Sequence, residues 1–289
     1  MEIEQIEFSG SPNCYACRIG DKGLVITADF GPRIISLSIC GGPNVLFVDE
    51  GRGMGSGQWL LYGGHRLWIA PETRSTYAPD NGQCRVESDA GRVTVTTLDE
   101  ELMLEKSIAV SERGEDFLVT HTAVNRSDTL IVGAIWALTC VVPRCTVFFP
   151  WGTGGDWDLK KIVYWKRWMN HTTDVGGSQY IPADDLFLVR PDGSEGKVGT
   201  SGTQGFIGVV GAGYTFVKRF DRIASAPYYD EDCAVQCYTC ADFVELETLS
   251  PTCTFFPNRP VIHEEEWIVR ATAVDPADGQ AVRRLIYPV

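Results

Sequence analysis

Apolar side chains recur at every second position through most of this chain. That period confines it to strands that bury one face, because a slip of one residue would turn each buried set toward water. GLVITADF (23–30), RIISLSIC (33–40), CRVESD (84–89), RVTVTTL (92–98), DFLVTHTAV (116–124) and TLIVGAIWALTCVV (129–142) read as strands. So do GFIGVV (205–210), YTFVKRF (214–220), CAVQCYT (233–239), DFVELETL (242–249) and EEWIVRATAV (265–274). Their β-branched and aromatic content fits a pleated, half-buried surface. GGPN, DAGR, SERGED, NRSD, PDGSEG and GAGY mark the turns, and DAGR predicts a hairpin. No long helix is expected, only a short one within DLKKIVYWKRWM (158–169). Strands at this spacing predict an all-β antiparallel sandwich or barrel.

The 289 residues show no composition break that would mark a linker, so a single domain over 1–289 is expected. An apolar share of 44% is enough for a real core and excludes wholesale disorder. The net charge of -13 makes nucleic acid and anionic membranes poor partners, though a local arginine can still serve a small anion. The chain lacks a run long and apolar enough to span a bilayer. The start, MEIEQIEFSG, has neither a basic stretch nor an apolar one, so a cytoplasmic protein without a secretory signal is expected. The ten cysteines are then expected to be reduced and mostly buried. Cys14/Cys17 and Cys237/Cys240 have CxxC spacing, but on a strand residues three apart face opposite ways, which disfavours zinc.

Two stretches carry candidate chemistry. In YGGHRLWIAPE (62–72), Gly63 and Gly64 permit positive φ or close backbone approach, and LWIA reads as a strand that Pro71 ends. His65 and Arg66 then point to opposite faces unless a bulge re-aims one of them. An Arg66–Glu72 ion pair is the structural alternative to a site here. In FVELETLSP (243–251), Glu245 and Glu247 share one face of one strand. Shielded from water, two such carboxylates raise each other's pKa, and one can serve as a base near neutral pH. By spacing alone, an ordinary solvent-facing acidic edge accounts for them better.

Leu246-Glu247-Thr248 with Pro251, the arginine after a glycine-rich turn, AVNRSDTLIVGAIWALT and EEEWIVRATAV together resemble the galactose-mutarotase-like (aldose 1-epimerase) superfamily. The resemblance covers most of the chain and implies a galactose-mutarotase-like antiparallel β-supersandwich. It implies Glu247 as the base at the anomeric hydroxyl of a sugar, His65 as a candidate acid, and no cofactor. It departs at the central strand, where Trp136 stands in place of the superfamily's second histidine. Arg66, Glu72, Glu245, Trp136, Lys218, Tyr229 and Asp230 are the expected substrate contacts, the last three from FVKRFDRIASAPYYDED. Trp151, Trp157, Trp165 and Trp168 crowd one loop, and indoles stack on sugar faces, so at least one is expected to meet ligand. Of the other histidines, His121 is expected as a satisfied sheet residue, His171 within reach of a site, and His263 at the surface. A His65/His121/glutamate metal cluster lacks any supporting spacing. The competing functions are a sugar-binding protein without catalysis, and a lyase or glycoside-processing enzyme on the same scaffold.

Overall fold

Period-two segments do form strands, and they stack as two large antiparallel sheets. The computed structural model describes residues 1–154 and 157–287. Among these, one sheet has eleven strands and the other ten. The first runs, in spatial order, through Glu2–Phe8, Ser11–Ile19, Lys22–Thr27, Arg33–Ile39, His65–Ala70, Ile131–Val141, Val244–Leu249, Val235–Thr239, Gly196–Thr200 and Val163–Tyr164, with Cys253–Phe255 alongside the start of Ile131–Val141. The second has Tyr214–Arg219, Pro260–Arg270, Asp116–Asn125 and Leu104–Arg113 at its centre. No helix among the described residues is long and apolar enough to cross a membrane.

The DAGR hairpin forms as expected, with Asp89 opposite Arg92 and Gly91 at φ +94. The short helix expected over 158–169 does not form. Trp157–Lys161, Val163–Tyr164 and Arg167–Trp168 are strands, in keeping with the β-branched and aromatic residues of that segment. A helix appears elsewhere, at Gly279–Ile286. Asp278 caps it by accepting from the backbone N–H of Gln280 and Ala281, both at 3.0 Å. Val282 and Ile286, one turn apart, pack on Phe148, Phe206 and Ile268 of the second sheet.

Leu67, Leu138, Val119, Phe117, Phe216 and Trp267 belong to the main core. Within the inter-sheet layer sits a polar group: His65, His121, Glu265, Lys218 and Thr248, all at 0% exposure. All ten cysteines are free. Cys237 joins the main core while Cys240 borders a cavity, so this CxxC pair does face opposite ways.

Candidate functional site

Cross-strand register builds the site on the face of the first sheet that turns away from the second. Arg66, Leu138, Glu247 and Gln236 form one row across four strands. Trp68 and Trp136 form the row on one side of it, and Glu245, Tyr238 and Lys197 the row on the other. Gly63 and Gly64 both have positive φ, so the chain can turn tightly against Phe47 and Ile34 before entering the strand that carries Arg66.

A cavity of ≈ 630 Å³ opens over this face. Trp59, Trp68, Tyr77, Trp136, Trp168 and Tyr238 supply its aromatic walls, and Arg66, Glu72, His171, Lys197, Asp242 and Glu245 its charged groups. Arg66 pairs with Glu245 at 3.0 Å, not with Glu72, and lies 4.0 Å from the Trp68 ring centre. Its Nε and Nη1 are buried without partners among the described residues. Glu72 instead accepts from the Tyr77 hydroxyl.

Glu247 lies directly beneath the cavity floor, at 0% exposure. Its Oε2 accepts from the Trp136 indole at 2.8 Å and from the Lys197 ammonium at 3.1 Å, while Oε1 has no partner among the described residues. Burial pushes its pKa up, Lys197 pulls it back and Glu245 pushes it up again, leaving it at about 7. Burial pulls the Lys197 ammonium down, but Glu247, Glu72 and Glu245 outweigh it and its pKa is raised. Trp165 stands with its ring centre 5.7 Å from the Lys197 ammonium. It packs over Gly199, where a Cβ would stand 2.8 Å from the indole, so only glycine leaves it room.

His171 also lines the cavity, beside Tyr238. His171 lies in the short hairpin Arg167–Trp168/His171–Thr172, with its ring stacked on Trp168 at 5.1 Å. Its Nδ1 is 2.5 Å from Glu195 Oε1, which also accepts from the Tyr238 hydroxyl at 2.9 Å. Burial raises the pKa of Glu195, but its hydrogen bonds to His171 and Tyr238 overcome this and hold it below the usual range. A carboxylate on Nδ1 leaves Nε2 as the ring nitrogen for a ligand.

Several expected contacts lie elsewhere. His65 does not face the cavity; it points between the sheets, where Nδ1 meets Thr139 at 2.8 Å and Nε2 meets His121 at 2.7 Å. Strand alternation, with no bulge to re-aim it, is the reason. Lys218 is likewise an inter-sheet residue. It pairs with Glu265 at 2.9 Å and donates to the carbonyls of Ala137 at 3.1 Å and Leu246 at 2.9 Å. His263 is buried, not at the surface, because its strand runs through the second sheet with that side chain inward. His65, His121 and Glu265 bring ligand-type atoms within 4.8 Å of one another. The Lys218 ammonium already supplies a cation to Glu265 there. Tyr229 and Asp230 lie in the turn Tyr229–Asp232, half-buried, and Asp230 accepts from Gln236 at 2.7 Å. Of the loop tryptophans, Trp168 borders the cavity, Trp165 packs over Gly199, and Trp151 donates to Ala183 at 2.9 Å. The Trp157 side chain lies outside the described part.

The structure thus gathers Arg66, Glu72, Trp136 and Glu245 around the cavity and Glu247 beneath it. Sequence reasoning missed Lys197, Glu195, Tyr238 and Gln236. Lys197 and Glu195 lie in the glycine-containing stretch 193–199, and nothing local announces that this stretch becomes the neighbour of Val235–Thr239.

No protein-family model matches the chain, and no curated protein does. Solved structures do. A putative aldose 1-epimerase from Escherichia coli K12 superposes with a TM-score of 0.58 at 11% identity, covering 90% of this chain and 99% of its own. A galactose mutarotase-like protein from Lactobacillus casei gives 0.59 at 9% identity, covering 89% and 100%. Another, from Clostridium acetobutylicum, gives 0.55 at 11%, covering 94% and 99%. The two stacked antiparallel sheets, matched nearly end to end by these structures, are the galactose-mutarotase-like β-sandwich.

Proposed function

We propose that the chain is a mutarotase-like aldose epimerase in which Glu247 is the base. The observation that carries this reading is Glu247 itself, a carboxyl with a pKa of about 7 beneath an aromatic-walled cavity. A group with that pKa loses and regains a proton readily at neutral pH. Glu247 takes the proton of the anomeric hydroxyl, and His171, which lines the cavity, gives one to the ring oxygen. The C1–O bond breaks, C1 becomes a carbonyl, rotation about the neighbouring bond exposes its other face, and closure returns both protons. His171 takes the acid role expected of His65. The Trp59, Trp68 and Trp168 rings offer flat surfaces for the apolar faces of a sugar, and the Glu72 and Asp242 side chains of the wall offer partners for its hydroxyls. One observation favours a binding protein without catalysis: Glu247 is covered by Trp136 and Lys197 and does not itself border the cavity.

Anomer exchange measured by NMR on neutral, acidic and phosphorylated aldoses decides between them. Wild type is expected to speed exchange of at least one sugar, and Glu247→Gln to lose about 100-fold or more of that acceleration. If a sugar binds and wild type leaves its exchange rate unchanged, the binding reading replaces this one.

A further inference from the structure

Glu247 and Gln236 stand directly opposite each other on neighbouring strands and share a face. Both are at 0% exposure. Gln236 Nε2 donates to Asp230 Oδ2 at 2.7 Å. An ionised carboxylate only accepts, so Asp230 fixes which end of the amide faces it. The other end, Gln236 Oε1, is buried without a partner among the described residues, and so is Glu247 Oε1. Two acceptors are thus left without a donor on a directly opposed pair, whose Cβ atoms lie roughly 4.5–5.5 Å apart in such ladders. Leaving both oxygens unsatisfied is costly, and one proton between them satisfies both.

We infer that Glu247 holds a proton on Oε1 and donates it to the Gln236 side-chain oxygen, with Asp230 fixing the amide that receives it. Gln236 is then a positioning residue, because Glu247 becomes a base only on releasing this proton. The charges around Glu247 divide. Lys197, from the strand on the far side of Gln236, favours ionisation, and Glu245 on the same strand opposes it. Lys218 approaches from between the sheets and Cys237 from the neighbouring strand. None of these supplies a donor to Oε1. Asp230 sits at φ +57, and Glu231 and Asp232 follow at φ +61 and +66. This left-handed turn is costly for non-glycine residues and brings the carboxylate to Gln236.

Only the consequence for the base rests on the mutarotase reading; the proton itself is tested without catalysis. Infrared difference spectra against Glu247→Gln are expected to show a protonated carboxyl C=O band that titrates away near pH 7. In Gln236→Leu the midpoint falls by about one unit, because the protonated form loses its acceptor. Asp230→Gly does the same by freeing the amide to turn its N–H₂ toward Glu247, and glycine accepts φ +57 without strain. That second variant keeps the test intact if Gln236→Leu fails to fold. A missing Glu247-dependent band at mildly acidic pH overturns the inference, as does a midpoint that Asp230→Gly leaves unmoved. A shifted midpoint in a protein that speeds no sugar's exchange upholds the inference and removes the mutarotase reading. Accelerated exchange with an unmoved midpoint does the reverse.

Discussion

Lys197 decides how much of Glu247 is ionised at neutral pH. It is the foremost influence favouring the carboxylate, against burial and Glu245. Lys197→Met therefore raises the Glu247 midpoint further, and the base form appears only at higher pH. The acid limb of the pH–rate profile for anomer exchange is expected to move up by about one unit or more. An unmoved limb would show that Glu247 does not set it. Legibility at this scale followed periodicity. The two-residue alternation of ELETL told which carboxylates share a face, and that of HRLW told that Arg66 and His65 part ways. It could not tell which face meets water and which meets the other sheet. His65, an acid candidate by resemblance, turns away from the site into the inter-sheet layer. His171 and Lys197 come to the cavity through hairpins and neighbours that no local spacing encodes.

The strands around Glu247 are tied down from behind. Lys218 holds the carbonyl of Leu246, next to Glu247, and that of Ala137, next to Trp136. Thr248, on the other side of Glu247, bonds both His263 and Glu265. The Lys218–Glu265 pair is at 0% exposure, where removing one partner strands the other. Lys218→Met is expected to cost about 3–5 kcal/mol in denaturant unfolding, and the double variant Lys218→Met/Glu265→Leu to recover much of it. A double variant no more stable than the single one would argue against the pair as the source of the loss. The strands read from sequence, and the DAGR hairpin, show alternation or turn chemistry within ten residues, but Glu2–Phe8, Ser11–Ile19 and Leu104–Arg113 escaped that reading. Val163–Tyr164 and Arg167–Trp168 escaped it too, since two-residue strands are too short to display a period. The Gly279–Ile286 helix was missed although its Asp278 cap and Val282/Ile286 spacing were present. One turn of apolar spacing carries little weight beside so many strands.

At the scale of the whole molecule, the inter-sheet layer makes the fold acid-sensitive. His65, His121 and His263 are all depressed below their usual range, by burial first, and His263 falls to about 3. The unfolded chain therefore binds up to three more protons than the folded one as pH drops below about 6.5. A depressed histidine contributes stability that is present above its unfolded pKa and is lost as pH falls toward its folded value. Glu247 has the opposite sign, because its raised pKa lets the folded state hold a proton first between about 7 and 4.5. Below about 6.5 the uptake at the histidines opposes that at Glu247, and each proton by which the unfolded chain leads costs about 1.4 kcal/mol per pH unit. Below about 4.5 Glu265 adds to the loss, because burial would raise its pKa but Lys218 at 2.9 Å holds it well under the usual carboxylate range. Against total stabilities of about 5–15 kcal/mol, even one or two such protons make the fold measurably less stable in mild acid. Guanidinium unfolding measured between neutral and mildly acidic pH is expected to show this slope. His263→Gln keeps a donor for Thr248 without a titrating ring and is expected to flatten it by about one proton's worth. Stability that stays level from neutral to mildly acidic pH would mean that the three histidines are not held neutral between the sheets.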